Sequence, residues 1–158
     1  MIQGIEKELN LPKAELNFKN NDDSGAQLVF DRVRNKWVPY TPEERVRLHF
    51  VNWLVEHRNY PIGRIGNEIT VNHNGHRRRC DTVVYDSTGS PVMIIEYKSP
   101  DVKIDRNVFD QISRYNIVMG TPWLIVSNGL THYCCKVEKK GCRFMNDIPS
   151  YENLKNPD

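Results

Sequence analysis

The chain has 158 residues, 39% of them hydrophobic, and a formal net charge of +2, which suffices for one sizeable core and reads as a single domain spanning 1–158. No apolar stretch approaches the roughly 18–20 residues that cross a bilayer, and Met1-Ile2-Gln3-Gly4-Ile5-Glu6 lacks the basic and apolar regions of a signal peptide, so a cytoplasmic protein without membrane partners is expected. The charge is too small to announce a polyanionic partner, so any such footprint must be local.

Residues 1–40 form a heterogeneous extension, with a polar stretch from 19 to 25 and a strand candidate at 27–31 that returns through Trp37 and Val38, a β-hairpin-like arrangement. A helix is predicted from Thr41-Pro42-Glu43-Glu44 to about Arg58. Thr41 is its N-cap, proline takes the first helical position and Glu44 the capping-box position. Val46, Phe50, Trp53, Leu54 and His57 share one stripe, so this helix packs on a sheet. Asn74-Gly75 is a strong hairpin signal between a strand beginning at Glu68 and a basic segment, His76-Arg77-Arg78-Arg79, that leads into Cys80-Asp81-Thr82-Val83-Val84-Tyr85. After the turn at 86–90, Val92-Met93-Ile94-Ile95 reads as a strand covered on both faces. Pro100 breaks that strand, and a second helix is predicted over 105–119 with Val108, Ile112, Tyr115 and Met119 inward. Strands are predicted over 123–127 and 131–137, leaving 139–158 as a loose tail outside a 41–138 core. The fold class is α/β (α+β), with a mixed central sheet flanked by helices.

Two clusters bear on chemistry. Cys80, Cys134, Cys135 and Cys142 show no CxxC spacing, and neighbours in a strand point to opposite faces, so free thiols are expected; the five histidines form no HxxxH or HxH pair. The apolar run ends instead in Glu96-Tyr97-Lys98. Residues two apart in a strand lie roughly 6–7 Å apart on one face, so Glu96 and Lys98 project together, and the preceding strand brings Asp81 toward them. Two carboxylates and an amine at a sheet edge are compatible with a Mg²⁺ site of hard oxygen ligands. They are equally the material of a structural ion-pair cluster, Glu96 with Lys98 and Asp81 with Arg79. In a regular strand Arg77 and Arg79 point to the side of Asp81, where phosphates would approach. Glu68 is a weaker candidate for a second metal.

Asp81, fourteen intervening residues and Glu96-x-Lys98 on consecutive strands resemble the signature of the PD-(D/E)xK nuclease superfamily. Glu44-x-x-Arg47, Arg79-x-Asp81, Ile94-Ile95-Glu96-x-Lys98-x-Pro100, Gln111-x-x-x-Tyr115 and Ser127-Asn128-Gly129 extend the likeness to the N-terminal nuclease domain of the R subunit of type I restriction enzymes, here as a free-standing small bacterial member with a restriction-endonuclease-like core. The resemblance implies that Asp81 and Glu96 bind Mg²⁺, with Mn²⁺ able to substitute, and that the main-chain carbonyl of Tyr97 adds a ligand. Lys98 would orient or activate the attacking water; neighbouring carboxylates favour its ammonium form, so stabilising charge on the phosphoryl group is as good a role. Glu44 matches a helix glutamate used as an extra metal or water ligand, and it is also a capping-box residue. Gln111 matches a glutamine that positions the site and nearby nucleic acid. Tyr115 matches the same motif but reads more simply as packing. Two departures are noted: Tyr97 stands where a smaller residue or cysteine is usual, and Cys80 stands where the superfamily's name has proline.

The implied function is a Mg²⁺-dependent nuclease that hydrolyses phosphodiester bonds of DNA. The rival is a catalytically silent or partner-dependent nucleic-acid-binding module, because the R subunit normally works beside a helicase motor and other restriction-system subunits. Cutting both strands of a duplex takes two sites, so a homodimer is compatible with this reading.

Overall fold

The computed structural model describes residues 6–155. Strands β1 (Phe18–Asn20), β2 (Gln27–Asp31) and β3 (Lys36–Pro39) form an antiparallel three-stranded sheet in the order β1-β2-β3. The expected hairpin is its β2–β3 part, and β1 adds an edge strand. Val29 and Val38, partners across β2 and β3, bury against Leu48, so the extension docks on the first helix.

That helix, α1 (Pro42–His57), starts as its sequence dictates. The Thr41 side chain accepts a hydrogen bond from the Glu44 amide at 3.0 Å, and Pro42 sits in the first turn. The buried set is wider than one stripe. Val46, Phe50, Val51 and Leu54 enter the main core while Leu48 faces the small sheet, and Glu44 and Arg47 are buried between them. A helix covered from two sides buries more than an amphipathic stripe. His57, expected inward, is exposed because the helix runs out from under this cover.

The central sheet has the order β4-β5-β6-β7-β8-β9, from β4 (Ile65–His73), β5 (His76–Tyr85), β6 (Pro91–Tyr97), β7 (Trp123–Ser127), β8 (His132–Glu138) and β9 (Gly141–Met145). Only β6 and β7 are parallel, and the crossover between them carries α2 (Arg106–Ile117). The β4–β5 turn has φ of 48° at Asn74 and 81° at Gly75, as a two-residue hairpin loop of mirror-image turn type requires. On β6, Met93, Ile95 and Tyr97 face the α1 cluster and Ile94 the α2 cluster, which explains the unbroken apolar run. Cys134 and Cys135 likewise divide between the two clusters, and all four cysteines are free.

Helix α2 begins at its Asp105 cap, whose side chain accepts from the Val108 amide at 2.9 Å. It buries Phe109, Ile112, Ser113 and Asn116, and Tyr115, which the periodicity placed inward, is 58% exposed. The inward face is rotated because Ile104 and Met119, just outside the helix ends, pack with Phe109 and Ile112. Of the segment expected as a loose tail, residues 139–155 are described and are ordered: they form β9 and then pack Ile148 and Leu154 into the α1-side core. Tyr60 donates to the Pro149 carbonyl at 2.9 Å, Tyr151 to that of Tyr85 at 2.7 Å and the Trp123 indole to that of Leu154 at 3.3 Å. Large rings whose polar tips find main-chain acceptors anchor such a segment. Among the described residues no helix is long and apolar enough to cross a membrane.

Candidate functional site

The β5–β6 ladder stops at Thr82 and Ile95, while β6 continues through Glu96 and Tyr97 paired with Val126 and Ser127 of β7. At this point β5 leaves β6, and the Tyr97 amide would be left without an acceptor, a loss of about 1–3 kcal/mol for a buried group. The Asp81 carboxylate fills the gap, accepting from the Tyr97 amide at 2.8 Å. Glu96 lies beside it and is only 8% exposed. Burial, reinforced by the charge of Asp81, pushes the Glu96 carboxyl up to about 8, against a downward pull from Arg78. The structure thus brings Asp81 and Glu96 together as expected. Lys98 follows directly, its amide bonded to the Ser127 carbonyl at 2.9 Å; its side chain is half-buried and forms no ion pair among the described residues. Asn128, after β7, donates to the Val102 carbonyl at 2.8 Å and so braces the loop from Lys98 to α2.

The ion pairs are not those anticipated. Glu96 Oε1 accepts from Arg78 Nη2 at 3.1 Å, and Arg79 Nε donates to Glu68 Oε2 at 2.8 Å. Arg77 and Arg79 therefore do not share the side of Glu96; Arg78 does. The cause is a break in the pleat. Val83 and Cys80 both join the α2 cluster although they stand three positions apart, and in a regular strand they would face opposite ways. The break lies where Glu68 and Asp81 drop out of the β4–β5 ladder, with Glu68 at φ 58°, a left-handed conformation unusual in a strand. The sequence carries no signal for it, since nothing in Glu68 favours that conformation.

Glu44 does not face the Asp81–Glu96 pair. Its Oε1 accepts from Arg34 Nη2 at 2.6 Å and its Oε2 lies 3.0 Å from Arg47 Nε, an ion-pair contact misaligned for a hydrogen bond. The α1 cluster that covers this region contains Tyr97, so Glu44 belongs to the opposite face of the sheet from Glu96. Thr41 caps the helix without a return bond from the Glu44 side chain, because two arginines claim that carboxylate. Arg47 is the residue that sequence reasoning undervalued: Nη1 donates to the Asp81 carbonyl and Nη2 to Glu68 Oε1, both at 2.7 Å. Asp31 also binds Arg34 and accepts from Asn67 at 3.0 Å. Thr82 donates to Asn67 at 2.7 Å, and the Tyr97 hydroxyl donates to Thr82 at 3.0 Å. The N-terminal sheet is thereby wired to the strands that carry the carboxylates.

Gln111 and Tyr115 are exposed on α2 and, with Asn107, Asp110 and Arg114, line an open groove of about 620 Å³. Tyr115 reaches the carboxylates through Arg78, whose guanidinium lies 5.4 Å from its ring centroid; Gln111 makes no hydrogen bond among the described residues. As to a cation, no group of three or more His, Cys, Asp and Glu side chains is gathered among the described residues. What remains is two adjacent carboxylates with one facing arginine, hard oxygen donors that fit an ion which keeps much of its water, as Mg²⁺ does.

The family model for the type I restriction enzyme R protein N terminus matches residues 42–149, from the start of α1 to beyond β9, leaving the N-terminal sheet outside the match. No curated protein matches the chain.

Proposed function

The chain belongs to the family of type I restriction enzyme R protein N termini, and we propose from that premise that it is a Mg²⁺-dependent nuclease acting on DNA. The observation that carries this reading is the convergence of Asp81 and Glu96 where β5 parts from β6, with Glu96 held protonatable near neutral pH by burial and by Asp81. Asp81 and Glu96, with the Tyr97 carbonyl, are the ligands proposed for Mg²⁺ or Mn²⁺. A divalent cation held there supplies Lewis acidity toward a phosphoryl oxygen and lowers the proton affinity of water. Asp81 Oδ2 remains tied to the Tyr97 amide, so its carboxylate is oriented before any ligand arrives. Lys98 places its ammonium where negative charge develops on the phosphoryl group, an electrostatic role that needs no proton transfer.

Plasmid and single-stranded DNA incubated with the purified protein and Mg²⁺ or Mn²⁺, beside Lys98→Ala, test the proposal. Cleavage that vanishes in the variant is the expected result. If neither protein cuts while both bind Mn²⁺, the partner-dependent reading prevails, in which a restriction-system or helicase subunit completes the enzyme. Arg78 seated on Glu96 favours that second reading, since it opposes cation entry.

A further inference from the structure

Arg78 is held from three sides. Nη2 donates to Glu96 Oε1 at 3.1 Å, Nε donates to Asn116 Oδ1 at 3.2 Å, and the guanidinium lies over the Tyr115 ring at 5.4 Å. Asn116 is a built acceptor: it is 2% exposed, and its own Nδ2 donates to the Ile112 carbonyl at 2.9 Å, which fixes its oxygen toward Arg78. Tyr115 is 58% exposed and contributes nothing to the core, so its position beside Arg78 is not explained by packing. The Arg78 side chain is 29% exposed, and it stands between the buried carboxylate and the groove along α2.

We propose, on the reading of Asp81 and Glu96 as a cation site, that Arg78 is the resident counter-ion of that site: it leaves Glu96 when a divalent cation enters and, still held by Asn116 and Tyr115, turns its Nη donors to a phosphate of a nucleic-acid strand in the α2 groove. A guanidinium and a divalent cation compete for the same oxygen and repel each other once both are near it. The fork that releases a carboxylate matches phosphate equally well. Asn116 and the Tyr115 ring are neutral, so a bound cation gives Arg78 no reason to leave them. Cation entry and phosphate binding are therefore coupled through one side chain, which the pleat break at Glu68 and Asp81 delivers to this face.

The test uses the full chain, with Mn²⁺ titrated calorimetrically into wild type, Arg78→Ala, Tyr115→Leu and Arg77→Ala, and a fluorescent single-stranded oligonucleotide titrated with and without Mn²⁺. Arg78→Ala should bind Mn²⁺ about tenfold tighter, the size of effect one neighbouring charge has on a carboxylate's proton affinity. Tyr115→Leu keeps every charge, and because the ring holds Arg78 both before and after cation entry it should leave Mn²⁺ affinity within about twofold while weakening oligonucleotide binding in Mn²⁺ about two- to threefold; it also keeps the test open if Arg78→Ala does not fold. Arg77→Ala removes an exposed charge of the same sign and should stay within about twofold. Mn²⁺ should tighten oligonucleotide binding in wild type and fail to do so in Arg78→Ala. Equal or weaker Mn²⁺ binding by Arg78→Ala, equal tightening by Arg77→Ala, or intact coupling without Arg78 overturns the counter-ion role while leaving the cation site standing. Absence of Mn²⁺ binding in wild type overturns the cation site and the counter-ion role together.

Discussion

Two partly buried charge clusters lie on opposite faces of the central sheet and are balanced differently. On the α1 side, the carboxylates of Asp31, Glu44 and Glu68 meet the guanidinium groups of Arg34, Arg47 and Arg79, one cation for each anion. On the α2 side, Arg78 meets Glu96, and among the described residues Asp81 forms no ion pair and accepts instead from the Tyr97 amide. The proton affinities follow the balance. Burial acts upward on Asp31 and Glu68, yet hydrogen bonds, from Arg34 and Asn67 to Asp31 and from Arg47 and Arg79 to Glu68, hold both below their ordinary values. Glu96, with burial and a like charge beside it, goes the other way. A matched cluster fixes geometry, whereas an under-compensated one retains an affinity for positive charge, and that asymmetry separates scaffold from candidate site.

The comparison breaks most decisively at the two carboxylates. Asp81→Ala or Glu96→Ala should lower DNA cleavage by about a thousandfold or more, measured as initial rate, because each removes a proposed ligand. Neither should collapse the fold: Glu96→Gln in particular should leave the metal-free protein as stable as wild type or more so in urea, since it removes an under-compensated buried charge.

On the matched side the expectation reverses. Arg47→Ala takes from Glu44 and from Glu68 one of the two arginines that each meets and removes the guanidinium donor of the Asp81 carbonyl, so stability should fall by about 3 kcal/mol in denaturant unfolding. If Arg47→Ala costs less than about 1 kcal/mol, the matched cluster is not structural and the contrast fails.

The clusters should also have opposite pH signatures. Because the folded state binds the Glu96 proton more tightly than the unfolded chain, its contribution is fully present below about 4.5 and is lost as pH rises toward about 8. Asp31 and Glu68, held low in the fold, contribute stability above their ordinary range that disappears on acidification through their depressed values. Metal-free wild type should therefore lose about 1 kcal/mol or more between pH 5 and pH 8, roughly 2–4 °C in Tm, while Glu96→Gln shows a flatter profile and added Mg²⁺ restores stability at pH 8. An identical slope in wild type and Glu96→Gln would remove Glu96 as its source. The smallest effect is expected at Gln111, where alanine should alter stability by less than about 0.5 kcal/mol because the side chain is exposed; a change in cleavage without one in stability would give Gln111 the role its motif implies.

Much of this was legible in the residues. The Thr41-Pro42 start of α1, the Asn74-Gly75 turn and the two-faced apolar run of β6 are local consequences of backbone chemistry and periodicity, and each formed where expected. The pairing of Asp81 with Glu96 follows from two adjacent strands and one short turn, so it too needed only local information. Which arginine meets Glu96 did not, because alternation points to Arg77 and Arg79 until a left-handed Glu68, opposite Asp81, reverses the pleat. Nor did the partners of Glu44: Arg34 comes from the turn after β2, and only the docking of the small sheet on α1 brings it there. The sequence determined the elements, their order and the carboxylate pair, all set by interactions a few residues to a turn apart. Tertiary structure decided which charges are neutralised and which remain available, because neutralisation depends on side chains from separate elements meeting inside the fold.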